Sequence, residues 1–159
     1  MDNELKNRLI HLANKYETAD FLPSDPSWFM HQVNGEENQE TLAFIAASLS
    51  YGNRKQFFPK IQYLLDQSNG NTYEWVKNSE YVSVIPQNDS CYYRLYTNNT
   101  MIAFLNATRK LINEYGTIGK FIEYTACGNG LKAVEAITSY YSIEGIGTII
   151  PKNTSSACK

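Results

Sequence analysis

The sequence predicts an all-α protein, a multi-helix bundle in a single domain, and three observations predict it. The first half of the stretch 40–65, ETLAFIAASLSYGNRKQFFPKIQYLL, is apolar on nearly every side, as a helix inside a protein must be. Further amphipathic segments are each opened by Asp, Asn or Thr and closed by Gly or a polar turn. The β-branched residues at 82–85 have no partner strand in view.

The chain opens with Asp2 as the cap of a first helix that carries Leu5, Leu9, Leu12 and Tyr16 on one face. Pro23 and Pro26 interrupt it, and Asp25-Pro26 starts a short helix holding Trp28 and Phe29. Glu36, Glu37 and Glu40 sit near the positive end of the central helix, where the plain reading is solvated helix-start acids. In that helix Leu42, Ile45, Ala46 and Leu49 form one stripe, with Phe44 and Ala47 beside it. Tyr51-Gly52 ends it, Gly supplying a left-handed residue, and Asn53 caps a second helix with Phe58, Ile61 and Leu65 in register.

Tyr73, Trp75 and Val76 seed a short helix, and 81–97 reads as extended or irregular. Asn98 or Asn99 caps a helix bearing Phe104, Thr108, Leu111 and Tyr115, which Gly116 ends. Thr117 caps a helix with Ile118 and Phe121, and the turn CGNG leads into one with Leu131, Val134, Ile137 and Tyr141. In the last segment Thr154, Ser155 and Ser156 make a helix start that the sequence leaves within its first turn, so the chain is expected to be an N-terminal fragment.

At 159 residues there is room for a real core, and 19% charged residues with 12 Tyr mark a globular chain. A formal net charge of −2 gives no overall basic field, so phosphate binding must come from a local patch or from helix-end N–H groups. Cys91, Cys127 and Cys158 have neither disulfide-framework nor zinc spacing, and the N-terminus lacks an apolar signal core. A cytoplasmic protein with reduced thiols is expected, and nothing calls for a cofactor.

His11 and His31 have no partner ligand at helical spacing, so no metal site is expected. GIG at 145–147 could form a DNA-binding hairpin, or an ordinary loop, since the following TIIP opens a helix poorly. The better helix start is 154–159, whose free N–H groups suit a phosphate oxygen. Lys159 alone reads as a solvated surface lysine. In a first helical turn, however, the dipole and partial burial favour its neutral, nucleophilic amine. YGNRKQ reads as a basic helix–helix turn, and YYRLY as core aromatics with Arg94 in a local ion pair.

FIAASLSYGNRKQFFPKIQYLL and PKNTSSACK resemble the bacterial family known as domain of unknown function 2400; DPSWFMHQV, YYRLY and EYGTIGKF fit its spacing. That family looks like a distant relative of the helix-hairpin-helix DNA glycosylases, in particular the 8-oxoguanine glycosylase/lyase branch. The resemblance implies the helical domain of such an enzyme, truncated at its C-terminus, with DNA as partner. Lys159 takes the position of the Schiff-base nucleophile, and Ser155 and Ser156 sit where phosphate docks. Tyr51, Gly52, Asn53 and Arg54 form the turn that fills the space of a flipped base. PKNTSS stands where the hairpin's Gly-rich turn would be, and the assisting Asp would follow residue 159. A fragment of this kind is expected to be inactive by itself. The other readings are a nucleic-acid-binding module without chemistry and a helical protein-interaction domain.

Overall fold

The computed structural model describes residues 2–147, 149–151, 153 and 155. Among them the chain is helical almost throughout, as the sequence predicts. The first helix, α1, runs Asn3–Tyr16 and is capped by Asp2, whose carboxylate accepts the Glu4 N–H. Two short 3₁₀ segments follow, Ala19–Ser24 and Pro26–Gln32, the second capped by Asp25 and burying Phe29. Then come α2 (Glu36–Leu49), α3 (Arg54–Gln67) and α4 (Thr72–Lys77). After a small hairpin of β1 (Cys91–Tyr93) and β2 (Tyr96–Thr97), α5 (Asn98–Tyr115), α6 (Ile118–Ala126) and α7 (Gly130–Ile143) complete the described helices.

The core forms where α2, α3, α4 and α5 meet. Leu42, Ile45, Ala46 and Leu49 of α2 are buried as one stripe, and Ile61, Leu64, Val76, Leu105 and Leu111 close around them. The helix is not enclosed on every side, as its composition suggests: Ala47 is exposed and Phe44 half-buried, on a face that borders a groove. On α3, Ile61 and Leu65 are buried as the expected stripe has them, while Phe58 is only partly so and Phe57 and Leu64 join them. Aromatic rings join the later helices. Phe44 of α2 stacks on Phe104 of α5, which meets Tyr141 of α7, and Tyr140 continues to Phe121 of α6.

The tyrosines reconcile burial with a polar tip by bonding to backbone and side-chain oxygens. Tyr73 donates to the Gly116 carbonyl at 2.7 Å, Tyr81 to Asn106 Oδ1 at 2.6 Å and Tyr92 to the Lys60 carbonyl at 3.2 Å. Among the described residues one buried polar side-chain atom lacks such a partner, Thr41 Oγ1 on α2. Replacing that hydroxyl by a methyl removes a desolvated group with nothing to bond. Thr41→Val is therefore expected to stabilise the fold by about 1 kcal/mol, a rise of roughly 2–4 °C in Tm by calorimetry.

Several local expectations are corrected. Glu40 is not a solvated acid: its carboxylate accepts the Ile118 N–H at 2.6 Å and sits at the positive end of α6. Gly119 permits this approach, since a Cβ there would lie 2.6 Å from Glu40 Oε2. The cap of α5 is Thr97, which accepts from Thr100 N, and not Asn98 or Asn99. Residues Glu80–Ser83 form a 3₁₀ turn, in keeping with the lack of a partner strand for 82–85. Farther along the stretch read as extended or irregular, β1 pairs antiparallel with β2. Leu131 is exposed on α7, whose buried positions are Thr138 and Tyr141. Residues 145–147 form a turn with Ile146 buried under it.

Candidate functional site

The Tyr51–Arg54 turn is held from both sides. Within it, Gly52 adopts φ +100°, and Asn53 Oδ1 accepts the Lys55 N–H at 3.0 Å to open α3. From the hairpin, the Tyr93 hydroxyl donates to the Tyr51 carbonyl, and the Arg94 guanidinium lies 4.9 Å from the centre of the Tyr51 ring. A Cβ on residue 52 would meet the end of the Arg94 side chain and displace it from the Tyr51 ring, and the positive φ favours glycine here by backbone geometry. Arg54 donates to the Ser24 carbonyl and so ties the turn to the 3₁₀ segment before α2.

Arg94 thus does not form the expected ion pair. It carries φ +52°, uncommon for a side-chain-bearing residue, at the two-residue tip of the hairpin. Its charge is stacked on Tyr51, and among the described residues its guanidinium donates no hydrogen bond to the protein. Beside it Leu95 is 85% exposed, the most exposed large apolar residue described. Tyr51 is itself 64% exposed.

These residues form one edge of an open groove of about 640 Å³. Its other walls are Phe44, Ala47 and Ser48 of α2, Ile122 of α6, Val134 and Ile137 of α7, and 149–151. The serine and threonine hydroxyls on these walls are already engaged: Ser48 donates to the Phe44 carbonyl at 2.7 Å, Ser50 to the Ala46 carbonyl at 2.6 Å and Thr138 to the Glu135 carbonyl at 3.1 Å. The groove is therefore apolar inside, with Arg94 as an available donor at its mouth. That size and lining suit a small planar ligand.

Proton chemistry has little footing in this part of the molecule. Burial raises the Tyr96 phenol above its ordinary range, and burial does the same for Tyr92 and Tyr141, so all three stay neutral donors. The Glu74 and Glu144 carboxylates hold Lys77 and Lys110 above the usual lysine range, the opposite of what an amine nucleophile needs. No group of three His, Cys, Asp or Glu among the described residues is arranged to hold a metal ion. No described helix is long and apolar enough to cross a membrane.

Of the residues singled out from sequence, Tyr51 lines the groove, while Gly52, Asn53 and Arg54 continue the same turn away from it. Ser155 is helical and exposed, while Ser156 and Lys159 lie outside the described residues. Sequence reasoning missed Arg94, Leu95 and the α7 wall. The motif YYRLY carried the needed signal, since a positive residue between aromatics at a hairpin tip has to find either a carboxylate or a ring.

A family model described as "Protein of unknown function (DUF2400)" matches residues 25–159. No curated protein and no solved structure matches the chain.

Proposed function

Because the chain belongs to the DUF2400 family, whose function is unknown, its activity has to be argued from its own residues, and we propose that it is a DNA-binding domain of the base-excision glycosylase/lyase type. In this reading an unstacked base enters the groove between α2, the hairpin and α7. The observation that carries it is the Arg94 guanidinium, stacked on exposed Tyr51 and without an acceptor among the described residues, at the mouth of an apolar groove. A base offers that site a flat face for Tyr51 and edge acceptors for Arg94, and the neighbouring backbone offers phosphate. Leu95 at the hairpin tip is the side chain to wedge into the vacated step, a task for which an exposed leucine is suited.

Arg54, Lys55 and Arg94 supply a local positive patch that the net charge of −2 conceals. With Arg94 on the base, two phosphate contacts from Arg54 and Lys55 imply that affinity for duplex DNA with an unpaired base falls about 12-fold between 50 and 200 mM salt. Arg94→Ala is expected to weaken that binding about tenfold, read by fluorescence anisotropy. Absence of any binding at low salt would end the DNA reading.

The chemistry of this reading belongs to Lys159. Its neutral amine adds to the C1′ aldehyde of an abasic sugar and loses water, giving an iminium that borohydride reduces to a stable amine. Trapping with abasic DNA in the complete protein should yield a covalent adduct that Lys159→Ala eliminates. An undiminished adduct removes Lys159 from the mechanism; DNA binding without any adduct leaves a binding module alone.

A further inference from the structure

The first helix takes no part in the groove. It lies almost wholly before the residues matched by the family model, and none of its residues is buried. Leu5, Leu9, Leu12 and Tyr16 recur at 4-3-4 spacing and form one seam, roughly 16 Å long at 1.5 Å per residue. All four are between 41% and 50% exposed, and the edge contact of Tyr16 with Phe21 is where the helix joins the next segment. The seam is narrow. At about 100° per residue, the positions on its two flanks hold Lys6, Arg8, Ala13 and Lys15, and Glu4 and Glu17 lie further round.

Those flanks select the occupant. They carry three cations and no carboxylate, so the flanks of a second copy would set cation against cation, its carboxylates lying further round. A membrane surface is a poor fit as well. The helix with its two capping residues holds Asp2, Glu4 and Glu17 against Lys6, Arg8 and Lys15, and the seam is a two-position stripe without the wide apolar face of interfacial helices. A helix with an apolar seam and acidic flanks satisfies both parts at once. From this we infer that α1 is a docking helix for a partner protein that presents an acidic, coiled-coil-type helix.

The test uses the full chain and two labelled synthetic helices with the same leucine seam, one with Glu at both flanks and one with Lys. The acidic helix should bind at least about tenfold tighter than the basic one at low salt. Lys6→Glu, Arg8→Glu and Lys15→Glu together should reverse that preference, and Leu9→Ala with Leu12→Ala should abolish binding. Since α1 buries nothing, these variants are expected to keep the parent's melting curve, which separates lost docking from lost folding. Three results would overturn the inference: equal or absent binding of the two helices; a dimer in sedimentation that Leu9→Ala with Leu12→Ala dissolves; or attachment to vesicles rich in anionic lipid through the same leucines.

Discussion

Phe104→Ala is expected to cost about 3–5 kcal/mol, against the roughly 5–15 kcal/mol that holds an ordinary domain together. Phe104 is fully buried and is the ring on which three helices converge. Phe44 stacks on it at 5.8 Å, and Tyr141 leans against it at 5.7 Å. Removing it leaves a cavity between α2, α5 and α7 that rigid helices cannot collapse to fill. By differential scanning calorimetry Tm should fall by roughly 6–20 °C. Tyr141→Phe serves as the mild counterpart. It deletes the 2.8 Å hydrogen bond to Thr108 Oγ1, but Thr108 keeps its bond to the Phe104 carbonyl at 2.9 Å, so about 1 kcal/mol is expected. A Phe104→Ala protein melting within two or three degrees (about 1 kcal/mol) of the parent would show that the ring cluster is not what joins the helices.

Alkali should unfold the protein over a narrow range of pH. Burial raises the Tyr92 and Tyr141 phenols well above their ordinary value of 10.0 and pushes Tyr140, which is only partly buried, up to about 12. In the unfolded chain these groups lose their protons near pH 10, while in the fold they keep them. The unfolded state then binds fewer protons than the native one, so stability is whole below about pH 10 and falls as pH rises. Each fully shifted phenol removes about 1.4 kcal/mol per pH unit, and Tyr92 and Tyr141 together about 5 kcal/mol by pH 12. Circular dichroism and the phenolate absorbance of Tyr92 and Tyr141, read by difference against Tyr92→Phe and Tyr141→Phe, should therefore change together, in one transition near pH 12 (roughly, from the same arithmetic). Tyr141→Phe should reduce the slope by about half. Loss of the Tyr92 and Tyr141 phenol protons near pH 10 (about the free phenol value) with the helical signal intact, seen as the absorbance lost in Tyr92→Phe and Tyr141→Phe, would contradict the buried state of these rings.

Much of the fold was legible because its signals are local. α2 shows its stripe Leu42, Ile45, Leu49 at helical spacing, and Gly52, Gly116 and Thr117 mark boundaries by conformations and caps that depend on a few neighbouring residues. The hairpin was missed because strands of three and two residues are too short for any alternation to register. Asn98 and Asn99 looked like better caps than Thr97, yet their side chains bond back to Asn88 and Asp89, which leaves the cap to the threonine. The candidate site was half legible. The Tyr51–Arg54 turn is contiguous, but the groove that Tyr51 borders is assembled from residues as distant as Ala47, Arg94 and Ile137, whose meeting only the packing of α2, the hairpin and α7 decides. The exposed seam of α1 was visible as a pattern. Whether something in the same chain would cover it depends on packing that periodicity does not encode.

The bond between Glu40 and the start of α6 also bears on how the protein is made. Its two ends are separated by 78 positions in the chain. A ribosome adding about 5–20 amino acids per second therefore leaves the N-terminal part of α2 without this tether for roughly 4–16 s. Throughout that interval its leucines and isoleucine are in the cell without their later helices, a window in which a chaperone can engage the nascent chain.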